Sequence, residues 1–365
     1  MTDTWQSYLD NKLRIGRETG CFPCAAAAVG AGDTLLAMAF TGGAPLPDDP
    51  LPDEDTLFDI ASLSKVVGPT MIALRALEEG TLRLDETVGD FIPEAPEDKR
   101  DITIKQLMTH TAGFHPSFRL DRMGITPEET MDCILREPLP DRPGGKPVYS
   151  CMGYILLGKL LEKRFGQPLR GLAEERVFRP LGMMHTAYSP VTGRCAATEV
   201  DPETGRPWIG IVHDENSRFQ GGNSGNAGIF MPLKDGIRFM SMLGQMGGTY
   251  LKRRTMELAI TNYTPGCEWH RGLGFHMAGT PNSLFSGRVP PATFGHTGFT
   301  GTSMMVEPSS GLWVLLLSNR VYPTRDSEAL FPFRRQLHGD TWERYVRFGL
   351  ENGGIGPIGQ GGFHD

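Results

Sequence analysis

Phe58-Asp-Ile-Ala-Ser62-Leu-Ser-Lys65 follows a Pro/Asp-rich loop, overlaps a short strand-like stretch at Leu57–Ala61, and opens a helical pattern running from Ser62 to Glu79. Gly80 reads as its C-cap, and Gly68-Pro69 predicts a kink inside it. Ser62 and Lys65 stand three apart, so on a helix both side chains share a face. A serine hydroxyl is a poor nucleophile until a base takes its proton, and a lysine serves when burial or a neighbouring cation lowers its pKa. A helix start also offers free backbone N–H groups to an oxyanion. Serine is equally a common N-cap, a reading that competes for Ser62. Ser64 competes as nucleophile, but beside Lys65 in sequence it cannot share its face.

Outward from this segment, helical spacing of Trp5, Tyr8, Leu9 and Leu13 predicts an N-terminal helix over residues 5–19. Cys24–Gly30 and Thr34–Phe40 read as a β-hairpin. Helical segments broken by Pro and Gly fill the middle, Ile104–His110 and Gly153–Phe165 most clearly. Thr302–Glu307 and Leu312–Ser318 flank a turn, and a last helix is expected near Thr341–Phe348. The order strands, helices, strands predicts an α+β chain with one antiparallel sheet built from both ends. The expected division is a sheet region of residues 1–61 plus 231–350, an inserted helical region of 62–230, and a flexible Gly-rich tail at 351–365.

The chain has 365 residues, 39% hydrophobic and 22% charged, which is ordinary globular composition. Its net charge of −7 leaves no basic surplus for phosphates, so nucleic acid is not an expected partner. No apolar run approaches the roughly 20 residues that span a bilayer. The N-terminus does not read as a secretory signal, and six scattered cysteines make no disulfide framework, so a cytoplasmic protein with reduced thiols is expected. Cys21-Phe-Pro-Cys24 has the spacing of a redox pair or half a zinc site, but no second CxxC follows; it reads as small residues entering a strand. His110, His213, Asp214 and Glu215 match no compact metal-site spacing, and Gly221–Gly225 opens no phosphate-binding helix. No metal or organic cofactor is expected, and the sequence does not fix the oligomeric state.

Two later segments complete a pattern. Tyr149-Ser150-Cys151 precedes the apolar helix, and His296-Thr297-Gly298 precedes the last strand pair. Taken alone, Tyr149 is an ordinary buried aromatic and His296 an ordinary structural histidine. In order with Ser62-x-x-Lys65, they resemble the serine β-lactamase and penicillin-binding protein superfamily. The likeness is to the branch of class C β-lactamases, D-alanyl peptidases and family VIII carboxylesterases. Leu107–Phe114, Pro180–Met183, Val212–Asn216, Gly225–Gly228 and Leu317–Val321 look like the same branch, and the resemblance spans roughly residues 20 to 350.

The resemblance implies a β-lactamase/transpeptidase-like fold, its antiparallel sheet flanked by terminal helices, with an inserted, mostly helical lobe. It implies Ser62 as the acylated nucleophile, Lys65 as proton holder, and Tyr149 as general acid/base with its phenolate stabilised by Lys65. The oxyanion hole would be the backbone N–H groups of Ser62 and Phe299, with Gly298 kept bare so that a substrate is not crowded. Thr297, Gly298, His296 and Cys151 would border the substrate. Two positions depart from the pattern. His296 stands where many members carry lysine, and a neutral imidazole attracts a substrate carboxylate less. Cys151 stands where the branch has asparagine, and a thiol cannot replace that amide's hydrogen bonds. The expected function is a serine hydrolase cleaving small carboxylic esters through a Ser62 acyl-enzyme. The alternatives are a β-lactamase or D-alanyl-D-alanine peptidase/amidase, and a non-catalytic binding homologue.

Overall fold

The computed structural model describes residues 4–280 and 283–351. Nine strands are present among them: β1 (Ala25–Ala31), β2 (Thr34–Thr41), β3 (Leu57–Asp59), β4 (Ala187–Tyr188), β5 (Ile229–Pro232), β6 (His276–Met277), β7 (Phe294–Thr297), β8 (Ser303–Val306) and β9 (Leu312–Ser318). Six form an antiparallel sheet in the order β2-β1-β9-β8-β7-β6, and β3-β5-β4 form a second, smaller one. Strands from both ends of the chain therefore share one sheet, as the sequence order predicts.

The run Ala25-Ala-Ala-Ala28 shows why β1 lies inside the sheet. Ala25, Ala27 and Val29 pack with Leu9, Leu13, Leu330 and Leu337 of the two terminal helices. Ala26 and Ala28 pack on the other face with Met240 and Leu315. Both faces are covered, so the strand is continuously apolar rather than alternating. β9 does the same with larger residues: Val314 and Leu316 face the terminal helices, while Trp313, Leu315 and Leu317 face the lobe. Each such fully buried aliphatic contributes about 1.5–3 kcal/mol. The terminal helices are Trp5–Glu18 and Leu330–Glu351; the Leu233–Gly244 helix covers the opposite face.

The segment after β3 is less regular than the helix expected from Ser62 to Glu79. Ala61–Leu63 form a 3-10 turn, Val66–Thr70 a wide π turn, and only Met71–Glu79 an α-helix. Pro69 is the cause: its ring and missing N–H break α-helical bonding at residue 65, and the wider turn absorbs the mismatch. Gly80 caps the helix at φ 74°, as expected. The last helix begins at Leu330, well before Thr341. Pro332 sits in its first turn, where no N–H is needed, so the Phe-Pro-Phe stretch that reads as loop is helical. β7 is itself a strand, hydrogen-bonded to β8 with Thr297 opposite Ser303. The expected Gly-rich tail lies outside the described residues. Among the described residues no helix is long and apolar enough to cross a membrane.

Candidate active site

The bend after β3 is held by a buried carboxylate. Asp59 accepts from the Ala61 N–H at 2.8 Å and the His213 N–H at 2.7 Å. Burial pushes its pKa up to about 6, with the two N–H groups opposing. Ala61 takes φ 46°, a left-handed conformation that costs a residue with a Cβ energy. That bend presents Ser62, half-buried, to a cavity of about 800 Å³. Ser64 is fully buried and its hydroxyl accepts from the Ile229 N–H at 3.1 Å, which removes it as a competing nucleophile. Ser62 caps no helix; its Oγ accepts from the Lys65 Nζ at 3.0 Å.

Lys65 is wholly buried and has each of its three donors placed: on Ser62 Oγ, on the Asn226 carbonyl at 2.8 Å, and on Cys151 Sγ at 3.6 Å. Its acceptors are all neutral groups. The Asn226 amide is itself fixed, donating to Asp214 at 3.0 Å and accepting from the Ser224 hydroxyl at 2.7 Å. Burial is the largest single influence and works against the ammonium, but the Cys151, Tyr149 and Asp214 side chains together outweigh it, so Lys65 is held above the usual lysine range. Burial likewise raises the Tyr149 phenol, with the Lys65 ammonium opposing. The two groups therefore titrate as a pair.

Tyr149 reaches the site on a pinned extended segment. Val148 N–H donates to the His110 carbonyl at 2.9 Å, Ser150 N–H to His110 Nδ1 at 3.1 Å, and Cys151 N–H to the Pro116 carbonyl at 2.7 Å. Ser150 Oγ caps the Cys151–Phe165 helix by accepting from the Gly153 N–H at 3.1 Å. The phenol oxygen is buried and makes no hydrogen bond, though Lys65 and Ser62 lie beside it. Lys65 Nζ is 4.9 Å from the ring centroid, and the Arg271 guanidinium 5.5 Å. Three imidazoles surround the ring: His110 at 4.7 Å, His296 at 5.9 Å and His276 at 6.1 Å. Burial first, then nearby cations, holds all three well below the usual histidine pKa, so they are neutral. His276 Nε2 accepts from Arg271 at 2.6 Å, and His296 Nδ1 donates to the Thr297 carbonyl at 2.8 Å. His276 and Arg271 carry no local signal in the sequence; only the β6–β7 pairing delivers them here.

The fourth wall is the β7–β8 turn. Thr300 and Thr302 hydroxyls donate to the Asp59 and Ile60 carbonyls at 2.7 and 3.0 Å, clasping the turn to the serine bend. A Cβ on Gly298 would meet Thr302 Oγ1 at 2.1 Å and the Ile60 carbonyl at 2.6 Å. The bare position is thus required by the clasp itself, a reason for glycine beside the expected substrate crowding. Neither the Ser62 nor the Phe299 N–H finds an acceptor among the described residues. Phe299 is half-exposed, stacked on His213 at 5.6 Å and under Arg320 at 4.7 Å.

Ser62, Tyr149, His296, Thr297, Gly298 and Phe299 all line the cavity, joined by Pro116, Arg271 and Leu284 from the flanking loops. Cys151 is not among the lining residues; its sulfur faces Lys65. His213 pairs with Glu199 at 2.9 Å, and the described residues contain no group of three or more His, Cys, Asp or Glu placed to hold a metal ion.

The comparisons with known proteins agree with this geometry. A family model described as Beta-lactamase matches residues 9–338. A protein of Escherichia coli K12, provisionally named a D-alanyl-D-alanine carboxypeptidase, is 30% identical over 75% of this chain and 71% of its own length. A Salmonella typhimurium protein of the same provisional name is 27% identical over 73% and 70%. Among solved structures, EstCE1, a hydrolase with promiscuous acyltransferase activity, superposes with TM-score 0.75 at 21% identity, covering 91% of this chain and 97% of that one. A class C β-lactamase gives 0.73 at 20% identity, covering 92% and 97%. With its three motifs gathered in one cavity and a family match over nearly its whole length, the chain belongs to the serine β-lactamase and penicillin-binding protein superfamily of hydrolases.

Proposed function

We propose that this protein hydrolyses small carboxylic esters through an acyl-enzyme on Ser62. The observation that carries the reading is the Ser62–Lys65 contact: a fully buried ammonium, hydrogen-bonded to no carboxylate, 3.0 Å from a serine hydroxyl that faces the cavity. Tyr149 supplies the acid/base function. When the Lys65–Tyr149 pair has lost one proton, the phenolate beside the ammonium takes the Ser62 proton as Oγ attacks the ester carbonyl. The oxyanion that forms is met by the Ser62 and Phe299 N–H groups. Tyr149 then returns the proton to the departing alkoxide, and water repeats the sequence to release the acid. The bend after β3 brings Lys65, the segment before the Cys151–Phe165 helix brings Tyr149, and β7 with its following turn brings His296 to Phe299. The chain's own groups cover every proton transfer.

Esters are favoured because Cys151 stands where an amide would hold an acylamino side chain, and its sulfur is occupied by Lys65. Six free cysteines support a reducing, cytoplasmic setting. A second reading, a D-alanyl peptidase, draws on the provisional names of the enterobacterial relatives. Rates with p-nitrophenyl acetate and butyrate, a chromogenic cephalosporin and a D-alanyl-D-alanine peptide decide between them. Faster turnover of the cephalosporin or the peptide overturns the ester reading. Fluorophosphonate labelling that survives Ser62→Ala overturns the nucleophile.

A further inference from the structure

His213 is not among the residues lining the cavity and takes no part in the proposed proton transfers, yet it reaches both halves of the oxyanion hole. It is 3% exposed. Its backbone N–H donates to Asp59 Oδ2 at 2.7 Å, and Asp59 Oδ1 accepts at 2.8 Å from the N–H of Ala61, the residue before Ser62. Its ring stacks on Phe299, with centroids 5.6 Å apart and planes 24° from parallel. One residue thus reaches the Ser62 N–H through a carboxylate and the Phe299 N–H through a ring.

The ring of His213 is itself locked. Burial opposes ionisation of Glu199, but Arg325 and His213 outweigh it, so Glu199 is a carboxylate. His213 Nε2 meets its Oε2 at 2.9 Å, and a carboxylate only accepts, so Nε2 carries the proton. Burial and then the Arg325 cation hold the imidazole below the usual histidine range, so it is neutral near pH 7. Arg325 Nε donates to both Glu199 oxygens, at 3.0 and 2.9 Å, and its Nη1 to Glu215 at 3.0 Å. Trp208 meets the imidazole edge-on at 6.2 Å. A ring fixed at its edge by such a network keeps one orientation.

Phe299 needs that anchor. Its side chain is half-exposed, and its N–H finds no acceptor among the described residues. The peptide carrying that N–H is fixed at one end, where the Gly298 carbonyl accepts from the Gly301 N–H at 3.1 Å. Thr300 and Thr302 clasp only the residues beyond. A donor misplaced by a fraction of an ångström loses much of its hold on an oxyanion. We propose that His213, set by Glu199 and Arg325, is a positioning residue that holds the Phe299 N–H in line with the Ser62 N–H. The inference rests on the acyl-enzyme reading and adds the support of its oxyanion hole.

His213→Ala removes the ring but keeps the backbone N–H on Asp59. With p-nitrophenyl butyrate it lowers kcat about 30-fold and changes KM less than about threefold, because the hole acts on the transition state. His213→Phe restores a flat face without the Glu199 contact and comes back to within about tenfold of wild type. Glu199→Gln keeps an acceptor for the imidazole but loses the charge that holds Arg325, and costs about threefold. The rate of fluorophosphonate labelling of Ser62 follows kcat through these variants, since the phosphonyl oxygen enters the same hole. Labelling does not depend on which substrate the protein prefers. Faster turnover of the cephalosporin or the peptide overturns the ester reading alone, and labelling still judges His213. A loss confined to KM, labelling of His213→Ala within twofold of wild type, or His213→Phe no faster than His213→Ala overturns the proposal. Should His213→Ala fail to fold, full wild-type rates in both His213→Phe and Glu199→Gln overturn it.

Discussion

Two of the buried cations around the site, Lys65 and Arg334, differ in how their donors are met. Lys65 has three acceptors for its three donors; Arg334 has a buried donor without one. The lysine is held by the fold alone: the serine bend, the Asn226 carbonyl and the Cys151 helix fix it from three directions. The arginine lies over the Phe331 ring at 5.7 Å and is otherwise held by packing. A cation whose partners are all internal is positioned before any substrate arrives, whereas a buried donor without one keeps its desolvation cost unoffset.

The comparison is broken most severely on the lysine side. Lys65→Met should lower kcat/KM for p-nitrophenyl butyrate about 10⁴-fold, because members of a unit fail together. A loss below tenfold would show that the Ser62 contact is structural. Tyr149→Phe should cost about 10³-fold. It should leave the melting temperature unchanged or higher, since the lost hydroxyl is buried without a hydrogen bond. In the wild type the phenol is raised above its usual value, so its base form grows with pH. Activity should therefore rise from ~pH 7 to ~pH 10, and that rise should vanish in Tyr149→Phe.

Gly298→Ala tests the clasp that joins the two regions. The new Cβ must displace the Ile60 carbonyl, and with it the Phe299 N–H, so kcat should fall about 100-fold in steady-state assays with KM less affected. Asp59 gives a stability effect. Its folded pKa of about 6 lies above the unfolded value of ~3.9. Its favourable contribution is therefore complete below ~pH 4 and lost as pH rises through ~6, by no more than about 3 kcal/mol. Urea unfolding of wild type and Asp59→Asn across that range should show the wild type alone losing this increment. Salt gives the smallest effect: Lys65 is shielded, so neutral-ester kcat/KM should change less than about twofold between ~0.05 and ~0.5 M NaCl.

Much of the lysine side was readable in advance. Ser62 and Lys65 stand out by their spacing at a helix start, whereas Tyr149 is marked only by its order with them and the family resemblance that this order carries. Local spacing favours Ser62 over Ser64, since only Ser62 can share a face with Lys65, and the Pro69-distorted turn buries Ser64 against the Ile229 N–H. What local pattern could not show is that Gly298 must also clear the Ile60 carbonyl, which is far away in sequence.

The sequence by itself determined the chemistry-bearing residue types, the order of the elements and the sheet made from both chain ends, because spacing and hydrophobic period are local properties. The tertiary structure alone decided the company those residues keep. Arg271 and His276 beside the phenol, and Arg334 beside Arg320, come from different elements. Their meaning is electrostatic, set by burial and by which charges are missing, and neither is written in the spacing of a chain.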